Sequence, residues 1–200
     1  IMWSLGNEAG VGKNLGAMAK AIKSIDSSRP LHYEGDQDCQ YVDLWSMMYP
    51  SADFVEKVGK FEEPALENQE LEQRRRKMPF VLCEYAHAMG TGPGGLTEYQ
   101  ELFDNYPRLM GGFIWEWLEH GIYTKQNGET ITNYGGDFGE VVHDGNFVID
   151  GLVSAGRKPR AQLFDLARVF APVRLKLNDE VTELNIISRL DHSDTKNFSL

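Results

Sequence analysis

Short apolar runs alternate with helical periodicities through the first 117 residues. Ile1-Met2-Trp3-Ser4-Leu5 reads as a buried strand that runs into the glycine-flanked polar loop Gly6-Asn7-Glu8-Ala9-Gly10. Leu15, Met18, Ile22 and Ile25 then recur at spacings of three and four, the period of a helix with one apolar face. Ser27-Ser28-Arg29-Pro30 ends that helix, because the residue before a proline is pushed out of the helical region. Residues 31–33 and 44–49 predict two further short strands, and Ser51 predicts the cap of a helix carrying Phe54, Val55 and Val58. The charged tract 62–77, which ends in Arg74-Arg75-Arg76-Lys77, predicts a solvated helix face. Residues 79–83 form an apolar strand closed by Glu84-Tyr85-Ala86-His87. Leu96, Tyr99, Leu102, Phe103 and Tyr106 mark a helix, and residues 111–117 the next strand.

Such alternation indicates βα units and a parallel sheet. Polar and aromatic residues gather repeatedly where a strand ends, the layout of a (β/α)₈ barrel with its site at the C-terminal rim. A complete barrel takes about 250 residues, so the strands read here correspond to its C-terminal half. Beyond Trp117 the texture changes. Asn127-Gly128 predicts a hairpin within residues 122–134, and Leu163, Leu166, Ala167 and Phe170 predict a helix after Pro159. Val173-Arg174-Leu175-Lys176-Leu177 alternates with period two, Asn178-Asp179 suits a turn, and Leu184 and Ile186 continue the alternation. The expected division is a partial barrel over residues 1–172 and the first strands of an antiparallel β-sandwich domain over 173–200. The apolar opening at Ile1, without a charged leader, suggests a cut inside a larger protein.

The charge balance narrows the partners. Twenty Lys and Arg against 30 Asp and Glu give a net charge of −10, which argues against nucleic acid and against an anionic membrane surface. No run approaches the ~18 apolar residues of a membrane span. Cys39 and Cys83 are too few for a disulfide framework or a four-cysteine zinc site.

Two carboxylates stand out by position: Glu8 in the loop after the first strand and Glu84 at the end of the apolar strand. At one end of a parallel barrel they could converge, and glycosidic cleavage requires such a pair, one group to protonate the leaving oxygen and one to attack or activate water. Alone, each is more readily a surface or salt-bridged glutamate. Trp115 and Trp117 flank Glu116 and, with strand alternation, point to one face; one of them is expected in the core. An indole at a barrel mouth also offers a flat platform to the C–H face of a sugar, with His87 and Tyr49 as polar tips.

Other matches fail on context. Gly90-Thr91-Gly92-Pro93-Gly94-Gly95 fits G-x-G-x-x-G, but six residues separate it from the strand and Pro93 removes a backbone donor. Asp137-Phe138-Gly139 lacks the catalytic loop that accompanies the kinase triplet. Alternation places Cys83 on the face opposite Glu84, without a base to activate a thiolate.

Trp3-Ser4-Leu5-Gly6-Asn7-Glu8, Cys83-Glu84-Tyr85-Ala86-His87-Ala88-Met89-Gly90, Tyr106-Pro107-Arg108-Leu109, Gly111-Gly112-Phe113-Ile114-Trp115 and Tyr134-Gly135-Gly136-Asp137-Phe138-Gly139 together resemble glycoside hydrolase family 2, in its large bacterial β-galactosidase branch. The resemblance runs in order to about residue 170 and weakens in the β tail. It implies a retaining hydrolase of terminal β-D-galactosides, with Glu8 as acid/base and Glu84 as nucleophile. It further implies Asn7 on the sugar 2-hydroxyl, Tyr49 against the nucleophile, His87 on sugar hydroxyls and Trp115 as stacking wall. Glu8 would also bind Mg2+, whose other ligands precede residue 1. A sodium site would use the Phe147 carbonyl and Asp150, the latter replacing the usual Asn. The resemblance implies a homo-oligomeric parent, a cytoplasmic location and an inactive isolated fragment. A β-glucuronide or β-mannoside hydrolase and a non-catalytic sugar-binding fragment are the rival readings.

Overall fold

The computed structural model describes residues 1–196. Strand β1 (Trp3–Ser4) leads through helix α1 (Lys13–Ile25) to β2 (Leu31–His32), which pairs with it in parallel. Next come β3 (Trp45–Met48), helices α2 (Ala52–Gly59) and α3 (Gln69–Arg75), β4 (Phe80–Tyr85), α4 (Leu96–Asn105) and β5 (Leu109–Ile114). β3, β4 and β5 form a parallel three-stranded sheet in that order. Hydrogen bonds join the two sheets. The Asp43 amide donates to the Leu31 carbonyl at 2.9 Å, and the Leu31 amide donates to the Asp43 carboxylate at 2.9 Å. His32 of β2 also reaches Ser46 of β3, with Nε2 2.7 Å from Oγ, so β2 and β3 run side by side.

The core lies between the sheet and the helices. Trp45, Phe80, Leu82 and Tyr85 face Val55, Val58, Leu96 and Leu109 there. Trp45 meets Phe80 with ring centroids 4.7 Å apart, and Tyr85 meets Tyr99 and Phe103 of α4 edge-on at 5.4 and 5.9 Å. Burying each such side chain contributes about 1.5–3 kcal/mol, which fixes the helix-facing side of each strand. Ser51 caps α2 as expected, accepting from the Phe54 amide.

Two expectations change. The first strand is shorter than residues 1–5: only Trp3 and Ser4 pair, Ile1 is fully exposed, and Leu5 alone of this run is in the core. The charged tract is a solvated face only in part. Arg75 and Glu63 are buried, and so is Arg108. Arg108 Nη1 lies 2.8 Å from Glu63 Oε1, and the same guanidinium donates to the carbonyls of Val58, Met78 and Arg75. The Arg75 guanidinium sits over the Trp45 ring at 4.5 Å. Arg74, Arg75 and Arg76 also donate to the carbonyls of Val42, Pro64 and Glu63, as planar guanidinium groups can, while Glu62, Glu67, Glu70 and Lys77 stay exposed.

Past β5 the chain forms the hairpin β6 (Ile122–Gln126) and β7 (Glu129–Asn133), turned at Asn127-Gly128 as the sequence predicts. A short 3₁₀ helix (Gly145–Val148) and helix α5 (Ala161–Val169) follow. β8 (Val173–Leu177) and β9 (Leu184–Ser188) pair antiparallel. The last four residues of the expected 173–200 segment, 197–200, lie outside the described residues. Among the described residues no helix is long and apolar enough to cross a membrane.

Candidate active site

Backbone bonds lace the strand ends together in sequence. The Tyr49 amide donates to the Glu84 carbonyl, the Trp115 amide to Tyr85, and the Ala88 amide back to Trp115. Farther along the rim, the Glu116 amide donates to Asp150 and the Leu152 amide to Glu116. The β3–β4 register shifts between Met47 and Met48, and the β4–β5 register shifts between Leu82 and Tyr85. Leu82 and Tyr85, three apart, consequently both enter the core. Strict alternation therefore fails, and with it the expectation that Cys83 faces away from the site. Its thiol meets Ser46 in a hydrogen bond within the field of Glu84 and Glu34. Burial pushes that thiol's pKa up, leaving a poor nucleophile.

Six of the eight singled-out residues come together. Tyr49 Oη donates to Glu84 Oε2 at 2.8 Å. Burial, then this bond and the Glu84 charge, raise the tyrosine's pKa, so it remains a donor. The His87 ring lies 5.7 Å from that of Tyr49 and 5.6 Å from that of Phe147, and its Nε2 is 3.5 Å from Asp150 Oδ2. Trp115 Nε1 donates to the same Asp150 oxygen at 3.0 Å. Neither Trp115 nor Trp117 enters the apolar core, and Trp117 is exposed. The expected core indole is absent because β5 stops at Ile114, before either.

Asn7 and Glu8 occupy another stretch of the rim. Both are exposed. The Glu8 amide donates to Glu34 Oε1 at 2.7 Å, the Ala9 amide donates to the Tyr33 hydroxyl at 2.9 Å, and that hydroxyl donates to the Gly10 carbonyl at 2.7 Å. Glu8, Tyr49 and Ala86, each just past a strand, all have left-handed backbones, with φ of 48°, 50° and 54°. Such angles are uncommon outside glycine and concentrate where a site constrains the chain.

Sequence reading missed two acids. Glu116 is pushed up to about 7, first by burial and then by the neighbouring Asp150 carboxylate. Glu34 is buried although it carries a carboxylate. Glu116 Oε1, Asp150 Oδ1 and Glu34 Oε2 are buried without a hydrogen-bond partner. The signal that found Glu84, an acid directly behind a strand, also marks Glu34 behind residues 31–33. Among the described residues no three His, Cys, Asp or Glu side chains gather as a metal site.

A partial parallel barrel with acids and aromatics along its C-terminal rim defines a class. Residues 1–175 match the family described as glycosyl hydrolases family 2, TIM barrel domain, and the chain belongs to that family. It is 46% identical over 204 residues to a β-galactosidase of Arthrobacter sp. (strain B7), covering 97% of this chain and 20% of that protein. It is 42% identical over 200 residues to a β-galactosidase of Staphylococcus xylosus, covering 96% and 19%. The chain thus spans about a fifth of the length of these curated relatives. A solved family 2 member from Bacteroides cellulosilyticus superimposes with a TM-score of 0.54 at 12% identity, over 86% of this chain and 19% of that one. At that identity the likeness speaks for the fold, an α/β TIM-barrel portion.

Proposed function

We propose that this chain supplies the two catalytic carboxylates of a retaining β-galactosidase. The observation that carries the reading is the Tyr49–Glu84 hydrogen bond at a strand end, beside the His87, Trp115 and Asp150 cluster. The names of the relatives supply the sugar.

Glu84 attacks the anomeric carbon while Glu8 donates its proton to the departing glycosidic oxygen. The carbon–oxygen bond breaks and a galactosyl ester of Glu84 forms. Glu8, now a carboxylate, takes a proton from water, which attacks the same carbon and frees Glu84. The Tyr49 hydroxyl hydrogen-bonds the Glu84 carboxylate and helps it leave in the second step. Asn7 binds the 2-hydroxyl, His87 other sugar hydroxyls, and Trp115 walls one face. Glu84 and Asp150 make this rim acidic, which disfavours a uronate by like-charge repulsion and suits a neutral galactoside.

Sodium fits the residues present: the buried, unpartnered Oδ1 of Asp150 is a hard oxygen donor, to be joined by the Phe147 carbonyl. Bound there, the ion would neutralise a buried carboxylate. Magnesium would take only Glu8 from this chain, so no step runs through it. We assign the barrel strands to the C-terminal half of the (β/α)₈ fold over residues 1–172. The β8–β9 hairpin then opens a β-sandwich domain over residues 173–200. The parent is a cytoplasmic homo-oligomer, and the 200-residue piece alone is inactive because its sheet edges are unclosed.

Initial rates of the full-length enzyme on matched aryl β-galactosides, β-glucuronides and β-mannosides test the reading. The galactoside is expected to turn over fastest. A preference for either other sugar, or hydrolysis with inverted anomeric configuration, overturns it.

A further inference from the structure

Glu34 is an expensive residue to keep. It is only 7% exposed, one carboxylate oxygen is spent on the backbone amide of Glu8, and the other has no partner. An unpaired buried oxygen destabilises the fold, and among the described residues no Lys or Arg forms an ion pair with this one. Stability alone does not explain such a group. Its surroundings do.

The segment behind β2 is tied to the core through Gln37. Its side-chain amide donates to the Glu34 carbonyl and, at 3.0 Å, to the Ser46 carbonyl of β3, while its Oε1 accepts from Trp45 Nε1 at 3.1 Å. Trp45 is among the most deeply buried side chains. A rigid chain of contacts thus runs from Trp45 through Gln37 and Glu34 to the amide of Glu8. Tyr33, next to Glu34 and equally buried, clamps the following two residues of the same loop. The Glu8 side chain is exposed and its backbone is left-handed. Its direction is set by the backbone, and the backbone by Glu34 and Tyr33.

We infer that Glu34 is the positioning residue for the acid/base, holding the left-handed Glu8 backbone by a charge-assisted bond to its amide. This rests on the proposed role of Glu8. Glu34 touches no reacting atom; it acts through Glu8.

The test uses the full-length enzyme and a leaving-group series, because acid assistance matters only for poor leaving groups. Glu34→Leu is expected to lower kcat/KM on an alkyl β-galactoside about 100-fold, the cost of an ångström-scale misplacement. It should leave dinitrophenyl β-galactoside within about threefold, and azide should then accelerate turnover of the dinitrophenyl substrate. Glu34→Gln, whose amide oxygen still accepts from the Glu8 amide, is expected to recover most of the loss. If the leucine variant does not fold, Tyr33→Phe carries the same test with a smaller effect in the same direction. Glu8→Ala is the reference. A steep leaving-group dependence in Glu8→Ala, with parental behaviour in the folded Glu34 and Tyr33 variants, overturns the inference and leaves the reading of Glu8 intact. No leaving-group dependence in Glu8→Ala overturns both.

Discussion

Glu84 and Glu8 stand behind parallel strands on one rim, yet they are held in opposite ways. Glu84 is fixed through its side chain: it is the penultimate residue of a six-residue strand in the middle of a three-stranded sheet, and the Tyr49 hydroxyl grips its carboxylate. Glu8 follows a two-residue strand, its side chain is exposed, and every bond that places it is made to backbone. The difference suits the tasks proposed for them. A nucleophile bonds to one carbon and is later displaced from it, and gains from a fixed oxygen. An acid/base meets a departing oxygen and then an incoming water, and gains from a fixed base with a free tip.

The largest effect tests the nucleophile end. In the full-length enzyme, Glu84→Gln is expected to lower kcat by more than about 10⁴-fold while thermal unfolding stays near the parent's, since a catalytic group acting as part of a unit has no substitute. Below that comes the platform beneath Glu84. Arg108→Met takes from buried Glu63 the nearer of its two arginines, leaving Arg76 at 3.2 Å, and should cost about 3 kcal/mol in denaturant unfolding; a loss under about 1 kcal/mol would show that the interior ion pair does not hold the sheet. Tyr49→Phe removes the grip on Glu84 and keeps the ring. It is expected to lower kcat about 10- to 100-fold, the worth of a charge-assisted bond, with glycosyl-enzyme accumulating as the second step slows. The smallest effect lies one turn away. Ser51→Ala removes the cap of α2, just past Tyr49, and should cost about 1 kcal/mol of stability with kcat little changed.

How far the sequence disclosed these two arrangements follows from what stabilises each. The helix-facing side of β3 to β5 is held by apolar burial, and burial writes itself as periodicity, so the strands, α1, α2 and α4 were legible in Leu15, Ile22, Val55, Phe80 and Leu82. Strand ends followed, and with them Glu8, Glu84 and Trp115. The buried ion network was not legible, because Arg75 and Arg108 look like surface residues until Trp45 and Glu63 are found beneath them. Nor was the place of Cys83, since the bulge near Glu84 is a matter of register that no local pattern encodes. Glu34 and Glu116 escaped for a related reason. Glu34 carries the same mark as Glu84, an acid behind a strand, but that either acid has a buried, unpartnered oxygen shows only in the structure.

The central claim is that Glu84 forms the bond to the sugar. Incubating the full-length enzyme with an activated 2-deoxy-2-fluoro β-galactoside, which forms the glycosyl-enzyme but releases it slowly, and mapping the adduct by peptide mass spectrometry tests that directly. The account predicts one fluorogalactosyl group, on Glu84. An adduct on any other residue, or full activity with no adduct, would contradict it.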